Sequence, residues 1–325
     1  MKILHIAPFR LFDNGDRHYA TERKISNGFT RNGHTVFDYP YRNMAKFNNR
    51  FQTKRFGIKK MNHHLLEIVK NLQPELVVLG HAELVSVETL KQMKSINSSI
   101  KIILWFVDPV FEKHRIEYIF QLQKLLDAAF ITTNPTVVHD FDQSKFYYMP
   151  NIVDPSIEIH KNYEKSSFKN DFIFCGSSKK YSDRENILNT INSKLDKINL
   201  RFCGNMGNPN IFGSNYIDLL GNSKMGLNYN KRNDVSMYSS DRVAQLTGNG
   251  LLTFSPRIPD FERVYTDEEI VYYDNGDDLI EKIIFYHQND GERRRIAKNG
   301  YLKSHLEYNS TKITKLMIDT VFNGV

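Results

Sequence analysis

Cysteine is scarce in this sequence: the 325 residues contain only two, Cys175 and Cys203. Two thiols cannot make the disulfide framework of a small secreted protein, and they suit a reducing compartment. No apolar run reaches the roughly 18 residues that a membrane-spanning helix needs. The opening segment, MKILHIAPF, has too short an apolar run for a signal peptide and is typical of a first buried strand. We therefore expect a cytoplasmic protein.

Several common nucleotide-binding and hydrolase motifs are also missing. There is no G-x-x-x-x-G-K-[ST] phosphate loop, no G-x-G-x-x-G after the first apolar segment and no G-x-S-x-G turn. The 11 histidines lack the spacing of zinc ligands. A D-x-D triplet, which metal-dependent transferases use, occurs at 140–142, but in a segment that we expect to be helical. We therefore predict neither a metal site nor a cofactor.

Acidic residues are fewer than basic ones, 37 against 44, which gives a net charge of +7 and favours anionic partners. The deficit is strongest from Tyr41 to Asn62, where Phe47, Phe51 and Phe56 are interleaved with basic residues and no acid occurs. This segment is either a solvated basic loop, a peripheral contact with an anionic membrane or acceptor through residues 42–60, or a nucleic-acid contact. We regard nucleic acid as the least expected of the three. The basic residues are Arg42, Lys46, Arg50, Lys54, Arg55, Lys59 and Lys60.

Short apolar segments alternate with amphipathic ones along most of the chain. In the first half, KILHIA, TVFDYP, ELVVLG, IKIILWFV and AAFITT are typical of strands. Helices are expected from Asp16 to Arg31 and near 63–72, 86–96 and 113–126. After a polar linker near 151–169 the alternation resumes with DFIFCG and ends with helices near 277–289, 291–302 and 309–322. Such alternation predicts an α/β protein with two Rossmann-like, doubly wound domains.

Polar residues follow the expected strands of the first domain. Ligands bind at the carboxyl ends of parallel strands, so four polar strand ends indicate the wall of a binding cleft. Each has a structural alternative, because Asp108 before Pro109 is a good turn former and His81 can cap the next helix. The candidates are Asp16, Arg17 and His18 after the first strand, His81 after ELVVLG, Asp108 after IILWFV, and Thr133 and Asn134 after AAFI.

In the second domain the segment FIFCGSSKKYSDREN places a turn at Gly176 between a strand and a helix. Ser182 and Glu185 form an S-x-x-E capping box for that helix. Unpaired amide groups at a helix start, beside Lys179 and Lys180, make an anion site that suits a diphosphate. The alternative is a well-capped, exposed helix. Ser177 and Arg184 belong to the same segment and complete this candidate anion site.

A second helix start occurs in SSDRVAQLTGNGLLTF, residues 239–254. Ser239 or Ser240 can cap this helix, next to Asp241. Arg242 lies in its first turn, where a cation is unfavourable to the helix dipole unless an anion is bound nearby. Upstream, GLNYNKRND brings Asn228 and Asn230 to the same edge of the sheet.

The segment SDRVAQLTGNG through RRRIAKNG is similar to the C-terminal region of group-1 glycosyltransferases of the GT-B class, in particular the spore-maturation (CgeB-type) branch. GDRHYATERKISNGFTRNGHTV, LGHAEL, LWFVDP and FITTN extend the resemblance over nearly the whole chain. The resemblance implies two domains facing across a cleft. An acceptor-side domain would span 1–155 and a nucleotide-sugar donor domain 156–305, and a helix within 306–325 would pack back towards the first. It also implies a glycan or glycolipid acceptor and no required metal.

The sequence departs from the retaining group-1 pattern, which has two glutamates eight positions apart, because those positions are Met237 and Gln245. The Gln245 amide can still hydrogen-bond ribose, but without charge assistance each bond is worth about 0.5–1.5 kcal/mol. If transfer inverts the anomeric centre, Asp16, His81 or Asp108 would act as the base. If it retains configuration, no base is needed.

Three other functions remain open at this stage. A nucleotide-sugar epimerase or hydrolase can share the same fold. A catalytically altered protein that binds a nucleotide or glycan would explain the missing glutamates. A DNA-modifying glycosyltransferase would explain the basic segment, and its binding to duplex DNA would weaken steeply with salt.

Overall fold

The computed structural model describes residues 1–47, 50, 53–177 and 182–324. The chain forms two compact units. Unit 1 contains Met1–Met149 and the C-terminal segment that begins at Ser310, and unit 2 contains Pro150–Asn309. Each unit is built on one parallel sheet with its own hydrophobic core. The predicted α/β class with two Rossmann-like folds is confirmed.

The sheet of unit 1 has six parallel strands in the order β2-β1-β3-β4-β5-β6. Every residue of β3 and β5 is buried, as expected for strands covered by helices on both faces. In this order the connections change direction between β1 and β3, and ligands of doubly wound sheets bind at such a switch point. The strands are β1 (Lys2–Ala7), β2 (Thr35–Pro40), β3 (Leu76–Gly80), β4 (Lys101–Phe106), β5 (Ala128–Ile131) and β6 (Phe146–Tyr148).

The helices of unit 1 differ from the prediction in three places, one of which is that the helix expected near 113–126 ends at Leu122. The first helix begins at Thr21 instead of Asp16, because Asn14 and Gly15 take left-handed backbone angles and residues 14–19 form turns. Most of the basic segment is helical instead of a connecting loop. The helices are α1 (Thr21–Arg31), α2 (Tyr41–Phe47), α3 (Lys54–Leu72), α4 (Val87–Ile96), α5 (Lys113–Leu122) and α11 (Ser310–Phe322).

Helix α3 is longer than predicted because its apolar stripe continues into the basic segment. Gly57, Met61, Leu65 and Val69 are all buried at a spacing of four residues. The basic side chains occupy the other faces and conceal this period in the sequence. The D-x-D triplet at 140–142, expected in a helix, lies among turns, where Asp142 accepts hydrogen bonds from Ser144.

Unit 2 repeats the topology of unit 1 with five parallel strands in the order β11-β10-β9-β7-β8. The switch point lies between β7 and β9. The strands are β7 (Asn170–Cys175), β8 (Leu200–Cys203), β9 (Ser223–Leu227), β10 (Leu252–Pro256) and β11 (Val271–Tyr273). The helices are α6 (Ser182–Lys194), α7 (Gly213–Gly221), α8 (Arg242–Gly248), α9 (Gly276–Gln288) and α10 (Asp290–Glu307).

Helix α11 packs on α1 within unit 1. A Cβ atom on Gly28 of α1 would lie 2.2 Å from the carbonyl oxygen of Ser310, so only glycine allows this approach. The Asn32 side-chain amide donates to the Thr311 carbonyl at 2.8 Å and to the Thr314 hydroxyl at 3.0 Å. The last helix of the chain is thereby fixed to the first.

Within the part of the chain that the structure describes, no helix combines the length and the apolar character that crossing a membrane requires.

Candidate functional site

The carboxyl ends of β7 and β9 meet at the switch point of unit 2, and two arginines converge there. Arg242 opens helix α8, and its Nε donates to the Cys175 carbonyl at 2.8 Å. Its Nη1 donates to the Tyr229 carbonyl and the Ser240 hydroxyl, both at 3.1 Å. The guanidinium carbon lies 4.5 Å from the centre of the Phe174 ring. Because these groups already hold Arg242, its place in the first helical turn does not require a bound anion, contrary to the sequence argument.

Arg184 reaches the same point from helix α6. Its Nη2 donates to the Tyr229 carbonyl at 2.9 Å and its Nη1 to the Ser177 carbonyl at 2.5 Å. Its guanidinium carbon is 5.6 Å from the centre of the Phe174 ring, and the residue is only 5% exposed. Two cations therefore share one carbonyl and one aromatic ring. Burial lowers the pKa of Arg242, which means that the surroundings disfavour its charge. An anion bound here would relieve this cost.

The loop after β7 is held tightly against these arginines. The backbone N–H of Gly176 donates to the Cys203 carbonyl at 2.9 Å, and its carbonyl accepts from the Asn205 amide at 2.9 Å. The φ angle of Gly176 is +154°, and a Cβ atom there would lie 2.5 Å from Arg242 Nη2. Glycine is therefore needed for the loop to pass this close to the guanidinium group.

The predicted asparagines hold the neighbouring loops. Asn230 Oδ1 accepts from the Ser240 backbone N–H at 3.0 Å, and its Nδ2 donates to the Tyr238 carbonyl at 3.1 Å. The Asn228 amide donates to the Ser255 hydroxyl at 3.2 Å and links the ends of β9 and β10. Both asparagines are buried, so their contacts set the shape of the edge.

Gln245, predicted at the ribose position, is paired with a residue that the sequence did not single out. The Tyr216 hydroxyl of helix α7 donates to Gln245 Oε1 at 2.7 Å. The amide oxygen thereby accepts one hydrogen bond, and the Nε2 group, a donor, has no partner among the described residues. Met237, at the other glutamate position, takes a left-handed φ of 55°, and its N–H donates to the Pro259 carbonyl.

At the carboxyl edge of unit 1, His81 follows β3 and Asp108 follows β4. Nδ1 of His81 lies 3.8 Å from Asp108 Oδ2, so the structure brings these two candidates together. The imidazole packs against the rings of Trp105 and Phe106, at 5.2 and 5.0 Å between centres. Burial lowers the pKa of His81 to about 4, although Asp108 acts in the opposite direction. The imidazole is therefore neutral at pH 7.

Asp108 has a second partner, Arg115 of helix α5, whose Nη1 lies 2.9 Å from Asp108 Oδ2. Nearby, Arg42 of helix α2 makes a two-pronged ion pair with Glu83, at 2.8 and 3.0 Å. Tyr41 also donates its hydroxyl to Glu83. These charged residues lie near His81, which is two positions from Glu83 in the sequence. The positive charge of Arg42 contributes to lowering the pKa of His81.

The remaining candidates of unit 1 lie apart from this pair or are used internally. Asp16 is exposed in the turn after β1, and it is not among the described ion-pair partners of His81 or Asp108. His18 of the same turn contacts the Gly15 carbonyl through Nδ1 at 3.2 Å, and Arg17 is partly buried. Thr133 is fully buried, and Asn134 Oδ1 accepts from the Thr136 N–H, which caps a short turn.

The comparisons with known proteins agree with the fold. Residues 183–319 match the sequence model of a family described as "Glycosyl transferase-like". In fold, the chain is similar to sucrose-phosphate synthase from Thermosynechococcus elongatus, with 9% identity, a TM-score of 0.66 and 100% of both chains covered. It is similar to Anabaena HepE in complex with UDP and glucose, with 8% identity, a TM-score of 0.62, and 99% of this chain and 100% of that chain covered. A glycosyltransferase from Rickettsia africae has 11% identity and a TM-score of 0.59, over 99% of this chain and 98% of that chain. No curated protein matches.

The chain has a GT-B fold, and its residues 183–319 are similar to a family of glycosyl transferase-like proteins. The matched family region contains both arginines of the unit 2 edge and Gln245, whereas β7 and its loop precede it. The predicted donor residues Lys179 and Lys180 lie outside the described residues. Asp241 precedes helix α8, and its carbonyl accepts from the Gln245 N–H at 3.0 Å. Within the described residues, no cluster of three or more His, Cys, Asp or Glu side chains could hold a metal ion.

Sequence reasoning missed Tyr216, Arg115 and Glu83. Tyr216 lies in GSNYIDLL, where it follows the apolar pattern of a core helix and gives no sign of a polar role. Arg115 and Glu83 lie a few residues after strand ends, so a search extended along each loop would have found them. Their partners, however, come from distant segments, which no single segment reveals.

Proposed function

We propose that this protein transfers a glycosyl group from a nucleotide-sugar donor to a hydroxyl of a glycan or lipid-linked glycan. The observation that carries the proposal is the pair of arginines at the β7/β9 switch point, Arg184 and Arg242, held on one carbonyl and one aromatic ring. A donor diphosphate is an anion of the right kind for two guanidinium groups beside backbone amides. It would rest on the loop at Gly176.

A similar structure, Anabaena HepE, contains UDP and glucose, so we propose UDP-sugars as the first donors to test. As the bond to the sugar breaks, the leaving diphosphate gains negative charge. The two arginines would stabilise that charge directly. We therefore propose that transfer requires no divalent metal.

We propose His81 as the base if transfer inverts the anomeric centre. Its imidazole is neutral at pH 7, and its Nδ1 faces Asp108, which leaves Nε2 for the acceptor. The acceptor hydroxyl would give its proton to Nε2 while its oxygen attacks the anomeric carbon, and the bonding pair leaves with the diphosphate. Asp108 would favour the imidazolium that forms. Asp16, exposed and outside this pair, is a weaker candidate.

Motif similarity also supports a proposed place in the spore-maturation (CgeB-type) branch, through LWFVDP and the R-x-x-I-A-x-x-G helix end. This chain departs from the retaining pattern at Met237 and Gln245, so its donor grip would depend on Gln245 and Tyr216.

The first experiment is a thermal-shift screen against UDP, GDP, ADP, CMP and their common sugar conjugates, with and without EDTA. A ligand at 100 times its dissociation constant adds about 2.7 kcal/mol of stability. We expect one nucleotide to stand out, with a shift that EDTA leaves unchanged. Absence of any shift would instead favour a protein that has lost donor binding, and a shift abolished by EDTA would overturn metal independence.

Single substitutions test whether the nucleotide binds at the two arginines. Arg242→Met or Arg184→Met should remove most of the nucleotide-dependent shift. Arg257→Met is the matched control, because Arg257 is an arginine of the same unit that pairs with exposed carboxylates. An equal loss in the control would remove the two arginines from the proposal. Loss of the donor's sugar without any acceptor would favour a hydrolase or epimerase.

A further inference from the structure

Unit 1 exposes large apolar side chains among its first 47 residues. Leu11 is 53% exposed, Phe12 59% and Phe47 74%. Single exposed apolar residues are common, but three of this size within two short segments of one unit are a cluster. Phe56, 63% exposed, lies at the start of helix α3.

We group these residues as one surface because the segments that carry them are in contact. Leu11 and Phe12 lie in a single turn of 3-10 helix after β1. The Leu11 N–H donates to Asn43 Oδ1 of helix α2 at 3.3 Å. Phe47 ends the same helix, and α3 packs against α2. We call this the basic–apolar surface, and it consists of Leu11, Phe12, Lys46, Phe47, Arg50, Lys54, Arg55, Phe56, Lys59 and Lys60.

The charge of this surface is positive and largely uncompensated. Arg42 is engaged with Glu83 and is left out of the surface. Arg50, Lys54, Arg55, Lys59 and Lys60 are exposed, and no carboxylate of the described residues lies within ion-pair distance of them. Phe51, noted in the sequence, lies outside the described residues.

We infer that the basic–apolar surface docks on an anionic lipid bilayer. Aromatic and aliphatic side chains insert at the boundary between headgroups and acyl chains, and lysine and arginine contact the negative headgroups. Each basic residue near such a surface raises membrane binding about fivefold at moderate ionic strength. A nucleic acid would use the cations but would give Leu11, Phe12 and Phe47 no apolar partner, so the apolar side chains favour the bilayer.

The position of the surface suits the proposed reaction. Helix α2 carries Phe47 at its end and Arg42 near its start, and Arg42 is paired with Glu83, two residues from His81. A lipid-linked acceptor in the bilayer would therefore be delivered beside the proposed acceptor edge. Only this last step rests on the proposed function, because docking itself requires no transfer.

The test is co-sedimentation of the full chain with vesicles of phosphatidylcholine alone or with one quarter phosphatidylglycerol. We expect binding to the anionic vesicles only, weakened by 0.5 M salt. Lys59→Glu with Lys60→Glu should reduce binding by about 25-fold or more. Phe12→Ser with Phe47→Ser should reduce it while leaving the salt dependence in place.

The matched control is Lys197→Glu with Lys298→Glu, two exposed lysines of unit 2 that change the net charge by the same amount. It should bind vesicles nearly as well as the unaltered chain. Equal loss in the control, or absence of binding to anionic vesicles, would overturn the inference. Preference for duplex DNA over vesicles, lost in the same Lys59/Lys60 variant, would overturn it in favour of nucleic acid.

Nucleotide binding is measured on each variant by thermal shift, so the two proposals are tested separately. Retained UDP binding with lost vesicle binding supports the inference and shows that the variant is folded. Vesicle binding without any nucleotide binding would leave the docking surface intact and overturn the proposed function instead.

Discussion

At the scale of single residues, glutamine in place of glutamate at position 245 changes the hydrogen-bonding groups that the candidate ribose site would present. A glutamate could accept from Tyr216 and still present lone pairs to ribose hydroxyls. The glutamine accepts from Tyr216 through Oε1 and presents N–H donors instead. The Gln245 Nε2 group would then donate hydrogen bonds to the oxygen atoms of the ribose hydroxyls. The tyrosine thereby fixes which end of the Gln245 amide would face a bound ribose.

Removing that hydroxyl should weaken donor binding. In Tyr216→Phe, the Gln245 amide loses a 2.7 Å hydrogen bond and is free to rotate. We expect the KM for the donor to rise about five- to tenfold, equivalent to roughly 1 kcal/mol, with kcat nearly unchanged. Steady-state kinetics measure this. Tyr147→Phe, which removes an exposed hydroxyl bonded to the Ser144 carbonyl, is the control and should leave KM unchanged.

His81 leads to a prediction about pH. Its pKa of about 4 places the acid limb of an inverting reaction near pH 4, with constant activity from about pH 5 upwards. Asp108 raises the pKa of His81, so Asp108→Asn should move that limb to lower pH. His81→Asn should lower kcat by at least about 100-fold.

The matched control for this series is Asp16→Asn, at an exposed turn position, which should behave like the unaltered enzyme. The measurement is kcat/KM from pH 3.5 to 8. Near-normal turnover of His81→Asn would show that His81 is not the base and would favour a retaining reaction.

At the scale of elements, the loop after β7 depends on Gly176. Because glycine has no Cβ atom, Arg242 Nη2 can lie close to its backbone. The φ angle of Gly176 is +154°. In Gly176→Ala we expect a displaced guanidinium group, weaker nucleotide binding and a loss of about 1–3 kcal/mol in unfolding free energy. Urea unfolding and UDP titration measure both effects.

Gly291→Ala is the control for that loop. Gly291 lies in the first turn of α10 with no atom within 4 Å of its Cβ position. Alanine there should stabilise the protein by up to about 1 kcal/mol. If Gly176→Ala were equally harmless, the loop would not be constrained by Arg242.

The sequence predicted the alternation of strands and helices well, because buried parallel strands such as β3 and β5 are continuously apolar. It failed where charge concealed the pattern, as in α3, whose buried residues are separated by lysines and arginines. For the candidate site, it singled out His81 and Asp108 because they follow strands, and Arg242 because it lies in the first turn of a helix. It could not predict the partners Tyr216, Glu83 and Arg115, because those contacts depend on which segments the topology brings together.

At the scale of the whole molecule, stability should depend on pH through a buried histidine of unit 1. His5 accepts from Trp105 Nε1 at 2.9 Å and contacts Ser26 at 2.8 Å. Burial lowers its pKa from 6.5 to about 3. Between these values the unfolded chain binds more protons, so the free energy of unfolding falls as the pH is lowered from 6.5 towards 3.

From pH 7 to pH 5 this histidine should account for a loss of about 2 kcal/mol, and His81 for a comparable one. Urea unfolding at pH 7 and pH 5 measures the loss of unfolding free energy. The variant His81→Asn should remove about half of the loss that the two histidines cause. A stability that is flat over this range would show that neither imidazole is held neutral by the fold.

Helix α11 has a consequence for how the protein is made. Since it packs on α1, unit 2 is a complete insertion between two parts of unit 1. On the ribosome, β1 to β6 emerge early, yet the groove beside Gly28 stays open until all of Pro150–Asn309 has been synthesised. The inserted unit is contiguous in sequence and can fold first. The unit that begins the chain is therefore the last to be finished, and any premature stop before Ser310 leaves it incomplete.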